Sequence, residues 1–197
     1  MLLKIIKLYG IYGFLRLIRD VVVSKMLISF NCKVVRSPFY IRKDGQISYG
    51  RGFTSGVGLR LDVFHGGKVI IGDNVQINDY VHIAAIEKIT IGKDTLIASK
   101  VFITDHNHGV FAESDHLSSP DIAPSSRPLE SKSVAIGDRV WLGENVTILP
   151  GAKIGNGVIA AAGSIVRGTV PDNVIIAGAP AKIIKKYNYE IMAWEKI

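Results

Sequence analysis

Residues 136–160 read IGDRVWLGENVTILPGAKIGNGVIA, and an aliphatic or small residue returns at every sixth position. Ile136, Leu142, Ile148, Ile154, Ala160 and, just beyond, Val166 form one series; four residues after each come Val140, Val146, Ala152, Val158, Ser164 and Val170. Gly137, Gly143 and Gly155 directly follow the first residue of their hexads. A period of six is neither the 3.6 of a helix nor the strict alternation of a half-buried strand. It suits a coil with corners, in which each hexad supplies one short strand and one turn, so that three hexads close a triangular coil of roughly 18 residues. The aliphatic positions then stack as internal ladders, small residues fill the corners, and glycine eases the chain through the bends. A single coil cannot bury its apolar face, so coils must stack and both ends need caps.

Working outward, Ile71, Ile77 and Ile83 keep the same period, with Val75, Val81 and the irregular Glu87 four residues on. Two extra residues then move the phase to Ile91, Ile97 and Ile103. Toward the N-terminus the earlier phase runs back more weakly through His65, Leu59, Phe53 and Ile47. The expected fold is an all-β parallel solenoid over residues 41–186, capped by a helical segment over 1–40 and by a short helical tail over 187–197. Its handedness does not follow from the period, because parallel crossovers are normally right-handed.

At 197 residues, with no Ser/Gly/Pro-rich linker, the chain reads as one domain. Lys and Arg number 24 against 17 Asp and Glu, and the net charge of +7 favours anionic partners such as phosphorylated cofactors or lipid headgroups. Beyond charge nothing points to nucleic acid, since no aromatic-basic motif sits on a recognisable module. The single cysteine, Cys32, leaves no intrachain disulfide and fits a reducing, cytoplasmic setting. The first 30 residues interleave Leu2, Leu3, Ile5, Ile6, Leu8, Ile11, Phe14, Leu15, Leu17 and Ile18 with Lys4, Lys7, Arg16, Arg19 and Lys25. Those cations break the roughly 18 uninterrupted apolar residues of a transmembrane span and spoil a signal-peptide core. Two readings stand for this basic helix: docking on the main domain or a neighbouring subunit, or peripheral attachment to an anionic membrane on the cytoplasmic side.

The repeat by itself specifies a scaffold, and its interruption points to function. Between Ile103 and Ile136 the period stops, giving an inserted loop over about 104–133 that opens with Thr104-Asp105-His106-Asn107-His108 and contains Pro120, Pro124 and Pro128. A loop of this length inside a compact coil is uncommon and usually functional.

With these features the chain resembles the hexapeptide-repeat acetyltransferases, among them the galactoside, maltose and xenobiotic O-acetyltransferases. The resemblance covers roughly residues 71–186 and rests on the Ile-Gly hexads, the His-bearing loop, the segment Val140-Trp141-Leu142-Gly143 and the ending Ile176-Ala177-Gly178-Ala179-Pro180-Ala181-Lys182. With the N-terminal segment included, the nearest likeness is to bacterial lipopolysaccharide-biosynthesis O-acetyltransferases that modify O-antigen sugars. The resemblance implies a left-handed β-helix, a homotrimer with sites between subunits, acetyl-CoA as co-substrate without a metal, and a saccharide acceptor, lipid-linked in the O-antigen case. It aligns His106 with the family's general base, with His108 as nearest rival and His116 further off. A sugar hydroxyl is a poor nucleophile, and a neutral imidazole can take its proton as it attacks the thioester. Asn78 aligns with an asparagine that contacts acceptor or intermediate, its other role being corner stabilisation. Trp141, expected to point outward, aligns with a tryptophan bordering the acceptor, or else makes a subunit contact. The resemblance puts the oxyanion donor at a backbone N–H near Gly143 or Glu144 and runs acetyl-CoA past Gly143, Ala162 and Gly163, with Arg167, Lys182 and Lys185 as phosphate contacts. Glu144 replaces a small hydroxyl residue of the relatives. Asp44 and Asp62 are candidates for an acidic residue near the acceptor.

Two other enzyme readings compete: a xenobiotic or soluble galactoside or maltose acetyltransferase, and a zinc enzyme of the γ-carbonic-anhydrase type, which would take three ligands from His82, His106 and His108. The spacing His106-x-His108 is narrower than in that zinc family, and the Trp141 segment is foreign to it.

Overall fold

Each hexad makes a strand because one side chain must enter a closed interior while its neighbours turn a corner. The computed structural model describes residues 2–111 and 117–197; His116, the remotest of the three candidates for the base, lies outside them. From Cys32 to Val170 the chain winds through six coils whose strands stack in parallel on three faces. The first face carries Phe53–Ser55, Gln76–Ile77, Leu96–Ile97, Trp141–Leu142 and Ile159–Ala160; the second Arg60–Val63, His82–Ala85, Phe102–Thr104 and Thr147–Ile148; the third Lys68–Ile71, Lys88–Ile91, Val134–Ile136 and Lys153–Ile154.

The register shows the ladders directly. Ile77, Ile97, Leu142, Ala160 and Ile176 stack on the first face, Leu61, Ile83, Ile103, Ile148 and Val166 on the second, and Tyr49, Ile71, Ile91, Ile136, Ile154 and Val170 on the third. All are buried, as are Val75, Val81, Val140, Val146 and Val158 at the corners. Trp141 points outward between buried Val140 and Leu142.

The glycine that follows each hexad's first residue has a different task from the one expected. The left-handed turn position falls two residues later, at Asn74, Asp94, Arg139, Asn145 and Gly157, with φ between 55° and 64°. Gly137 is glycine because coils meet there: a Cβ on it would lie 2.7 Å from the carbonyl carbon of Gly155. The coils also taper. On the third face the stacked residues are 22 apart at Tyr49 and Ile71, 20 at Ile71 and Ile91, 18 at Ile136 and Ile154, and 16 at Ile154 and Val170. This taper explains why the period fades toward the N-terminus and corrects the backward extension. His65 is an exposed corner residue, with Val63 and Val69 buried in its place, and Tyr49 rather than Ile47 stacks under Ile71.

The inserted loop is tied at its base, where His106–His108 pairs antiparallel with Leu129–Ser131. At the N-terminal end, the helix Leu2–Val23 bends at Gly10 (φ 68°, ψ 172°) and runs into a wider helical turn, Ser24–Ile28. Ser24 is fully buried, and its hydroxyl accepts the Val35 N–H at 2.6 Å, fastening the helix to the first strand, Cys32–Val35. The tail departs from the helical expectation. Ala181–Asn188 pairs antiparallel with Val174–Gly178, and Ala193–Lys196 pairs in turn with Ala181–Asn188. The last coil leaves a sheet edge with unpaired N–H and C=O groups, and a hairpin satisfies them where a helix cannot.

Leu142 is fully buried in the first-face ladder while its neighbour Trp141 is 49% exposed. Leu142→Ala is expected to lower unfolding stability in urea by about 2–5 kcal/mol, and Trp141→Ala by no more than about 0.5 kcal/mol.

Candidate functional site

His106 stands where the second face ends and the inserted loop begins, half-buried at the wall of a cavity of about 570 Å³. Asp62, His82, Phe102, Thr104 and His108 share that wall. The preceding residue holds His106 in place. Asp105 is fully buried, and its carboxylate accepts the Ile86 and Glu87 N–H groups, both at 2.9 Å, while lying 3.0 Å from His106 Nδ1. A carboxylate only accepts, so Nδ1 donates, and in the neutral ring the lone pair is then on Nε2. The Asp105 carbonyl also accepts the Lys132 N–H at 2.8 Å, anchoring the return strand of the loop beside it. Asp105 went unnoticed in the sequence, although its place directly before His106 was a usable signal.

His82 lies on the same wall, its Nε2 3.0 Å from Asp62 Oδ2. Asp62 is also gripped by Arg42, through Nε and Nη2 at 2.7 and 2.9 Å, and by Arg60 Nε at 2.8 Å. The Arg42 hydrogen bonds outweigh burial and, with those from His82 and Arg60, hold the Asp62 carboxyl down at about 2. Burial pushes the His82 imidazole below its usual value, partly offset by the Asp62 hydrogen bond. Of the two acidic candidates, Asp62 therefore borders the cavity with His106. Asp44 accepts the Gly66 N–H at 3.1 Å, a corner contact. Among the described residues no three His, Cys, Asp or Glu side chains converge as a metal-ligand set.

The remaining candidates lie elsewhere in the single chain. Asn78 is exposed at the corner between the first and second faces, where it lines a separate cavity of about 600 Å³ with Tyr9, Arg36 and Ser99. Trp141 is on the first face. Gly143 is buried: its N–H donates to Ala160 O at 2.9 Å, and a Cβ would lie 2.6 Å from the Ala162 nitrogen. It therefore serves coil stacking, and its N–H is engaged. Glu144 is exposed and ion-paired with Lys100 at 3.6 Å; its N–H has no backbone partner among the described residues. Ala162 and Gly163 are exposed, with open space where a Gly163 Cβ would stand. Arg167 and Lys182 are exposed and Lys185 is half-buried, the two lysines lying on the antiparallel strand beyond the last coil.

Because the folded-state pKa of Asp62 is depressed, its stabilising effect is complete above the ordinary 3.8 and is lost as pH falls to about 2. Urea unfolding followed from pH 7 to pH 2 is expected to show a steep acid limb in the native protein and a shallower one in Asp62→Asn.

The bacterial transferase hexapeptide (six repeats) family matches residues 133–168. Over 196 residues, covering 100% of both chains, the protein is 63% identical to the Escherichia coli K12 protein named "Putative lipopolysaccharide biosynthesis O-acetyl transferase WbbJ". It is 33% identical over 124 residues to the galactoside O-acetyltransferase of the same organism, covering 63% of this chain and 57% of that one. A solved galactoside acetyltransferase in complex with coenzyme A shares the fold with a TM-score of 0.60 at 30% identity, over 73% of this chain and 67% of that one. AntD, a Bacillus cereus N-acyltransferase solved with dTDP and 3-hydroxybutyryl-CoA, gives 0.68 at 25% identity over 82% of each chain. Identity sustained along the whole of both chains, on a coil built from the same hexads, shows that the chain belongs to the hexapeptide-repeat acetyltransferase family.

Proposed function

We propose that this protein transfers acetyl from acetyl-CoA to a sugar hydroxyl in lipopolysaccharide O-antigen biosynthesis. The observation that carries the reading is the Asp105–His106 pair at a cavity wall, where the inserted loop breaks the coil. His106 Nε2 takes the hydroxyl proton as the sugar oxygen attacks the thioester carbonyl. Asp105 holds the ring and stabilises the imidazolium that forms. The carbonyl oxygen gathers negative charge, for which the Glu144 N–H is the available backbone donor. Collapse breaks the carbon–sulfur bond, and the departing thiolate receives the proton from His106. No acyl-enzyme is required, and the lone cysteine, Cys32, is buried with its thiol pushed up to about 11 by desolvation.

The exposed surface at Ala162 and Gly163 suits a pantetheine arm, since small residues there allow close approach. Arg167, Lys182 and Lys185 are the basic residues for coenzyme phosphates. His106 on one corner and Asn78, Glu144 and Gly163 on another fit a homotrimer in which neighbouring subunits complete each site. The exposed Leu8, Ile11, Tyr12 and Leu15 beside Lys4, Lys7 and Arg16 fit peripheral contact with the inner face of the cytoplasmic membrane, where lipid-linked acceptors lie. No helix among the described residues is long and apolar enough to cross a membrane.

His106→Ala is expected to lower acetyl transfer to O-antigen saccharide by about 10²–10⁴-fold, and His108→Ala by far less, as read by mass spectrometry of the acetylated glycan. Equal losses in both variants would refute the assignment of the base. Mixing His106→Ala with Asn78→Ala subunits, each inactive alone, should restore about a quarter of the wild-type rate if every site spans two chains. Ile11→Asp with Leu15→Asp should abolish flotation with phosphatidylglycerol vesicles while leaving solution binding of coenzyme A intact.

A further inference from the structure

Above the His106 cavity, on the same face, lies a larger cavity of about 710 Å³ lined by Phe39, Tyr40, Arg42, Arg60 and Tyr80. Asp62 is the hinge between the two. It is 5% exposed and borders the lower cavity, while the two guanidinium groups that grip it line the upper one. Their side chains remain 57% and 46% exposed. Two permanent cations meet one carboxylate, and the third partner, His82, is disfavoured in its charged form by burial. The cluster thus carries an excess positive charge at its outer edge. Arg42 Nη1 and both Nη groups of Arg60 have no hydrogen-bond partner among the described residues.

Asp62 fixes both forks at charge-assisted distances, so these free N–H groups are held in place before any ligand arrives. Residues stack outward down the second face as Tyr40, Arg60, His82 and Phe102. From Asp62, which both arginines grip, to Thr104, whose hydroxyl lies 3.4 Å from His106 Nδ1, is two strand spacings, about 10 Å, the reach of a pyranose ring and the phosphate attached to it. A molecule with its sugar beside His106 would therefore lay its next group on the arginines and the one after on the aromatic rim, where Tyr40 and Tyr80 are 58% and 62% exposed.

We propose that Arg42 and Arg60 bind the diphosphate of an acceptor sugar presented on a diphosphate carrier, with Phe39, Tyr40 and Tyr80 against the carrier's apolar or aromatic end. Two carriers share this chemistry, a nucleoside diphosphate and a polyprenyl diphosphate. The proposal rests on the acetyl-transfer reading for the sugar's place at His106, but the diphosphate contact is measured without acetyl-CoA.

Titration calorimetry of the full-length protein with uridine diphosphate and, separately, with geranyl diphosphate is the test. At least one probe is expected to bind, and Arg42→Gln and Arg60→Gln each to weaken it roughly tenfold or more. Arg60→Lys, which keeps the charge without the fork, should fall between. Binding of uridine diphosphate alone identifies a nucleotide carrier, of geranyl diphosphate alone a prenyl one, and of both supports the shared diphosphate contact. Urea unfolding reports that each variant is folded, and coenzyme A titrated into it should bind as in the native protein. The proposal is overturned if neither probe binds, if the Gln variants bind like the native protein, or if coenzyme A weakens in parallel, which would assign the arginines to the coenzyme. Acetyl transfer to one sugar supplied both free and as its diphosphate conjugate, assayed on the native protein, separates the two ideas: absence of transfer to both beside intact diphosphate binding sinks the proposed function and leaves this contact standing.

Discussion

Each coil of this protein is stable only because another coil lies on it. A strand of two residues buries one side chain, and that side chain is covered above and below by its counterparts one coil away. Leu142 between Ile97 and Ala160, and Ile148 between Ile103 and Val166, are typical. Strand spacing then sets how closely backbones approach, which is why Gly137 and Gly143 carry no side chain. It also keeps outward residues of successive coils in columns, and any surface chemistry has to be assembled from those columns.

The site grows from departures in that regularity. The two extra residues that shift the phase after Ile83 fall where Ile86 and Glu87 turn their N–H groups onto the Asp105 carboxylate. The next coil leaves the solenoid directly after Asp105. One irregularity thus anchors the other, and His106 is oriented by a buried carboxylate whose own partners are backbone groups of the preceding coil. A side chain held in this way has little rotational freedom left to lose. The antiparallel ribbon at the base of the loop returns the chain to the third face, so the ladder continues from Ile91 to Ile136 despite the insertion.

The ends follow the same constraint. The last coil would expose a sheet edge, and the hairpin through Asn188 and Ala193 closes it. At the other end the helix is fastened through Ser24 and Val35 but leaves much of its apolar surface in solvent.

Period, the inward positions from Ile71 onward and the break after Ile103 were legible in the chain itself, because each is a local pattern of six-residue spacing, whereas His106 was singled out by the family resemblance. The outward direction of Trp141 followed from the same spacing. What required the folded molecule is which outward residues meet. Arg42, Asp62 and His82 come together because the first coils are 22 and 20 residues long rather than 18, a taper that no hexad announces. The partnership of Asp105 with two N–H groups of another coil, the engagement of the Gly143 N–H, the distance of Asn78 and Trp141 from His106 in one chain, and the strand in place of a helical tail were likewise decided in three dimensions. Hydrophobic spacing separates inside from outside, whereas coil length and edge pairing determine who neighbours whom.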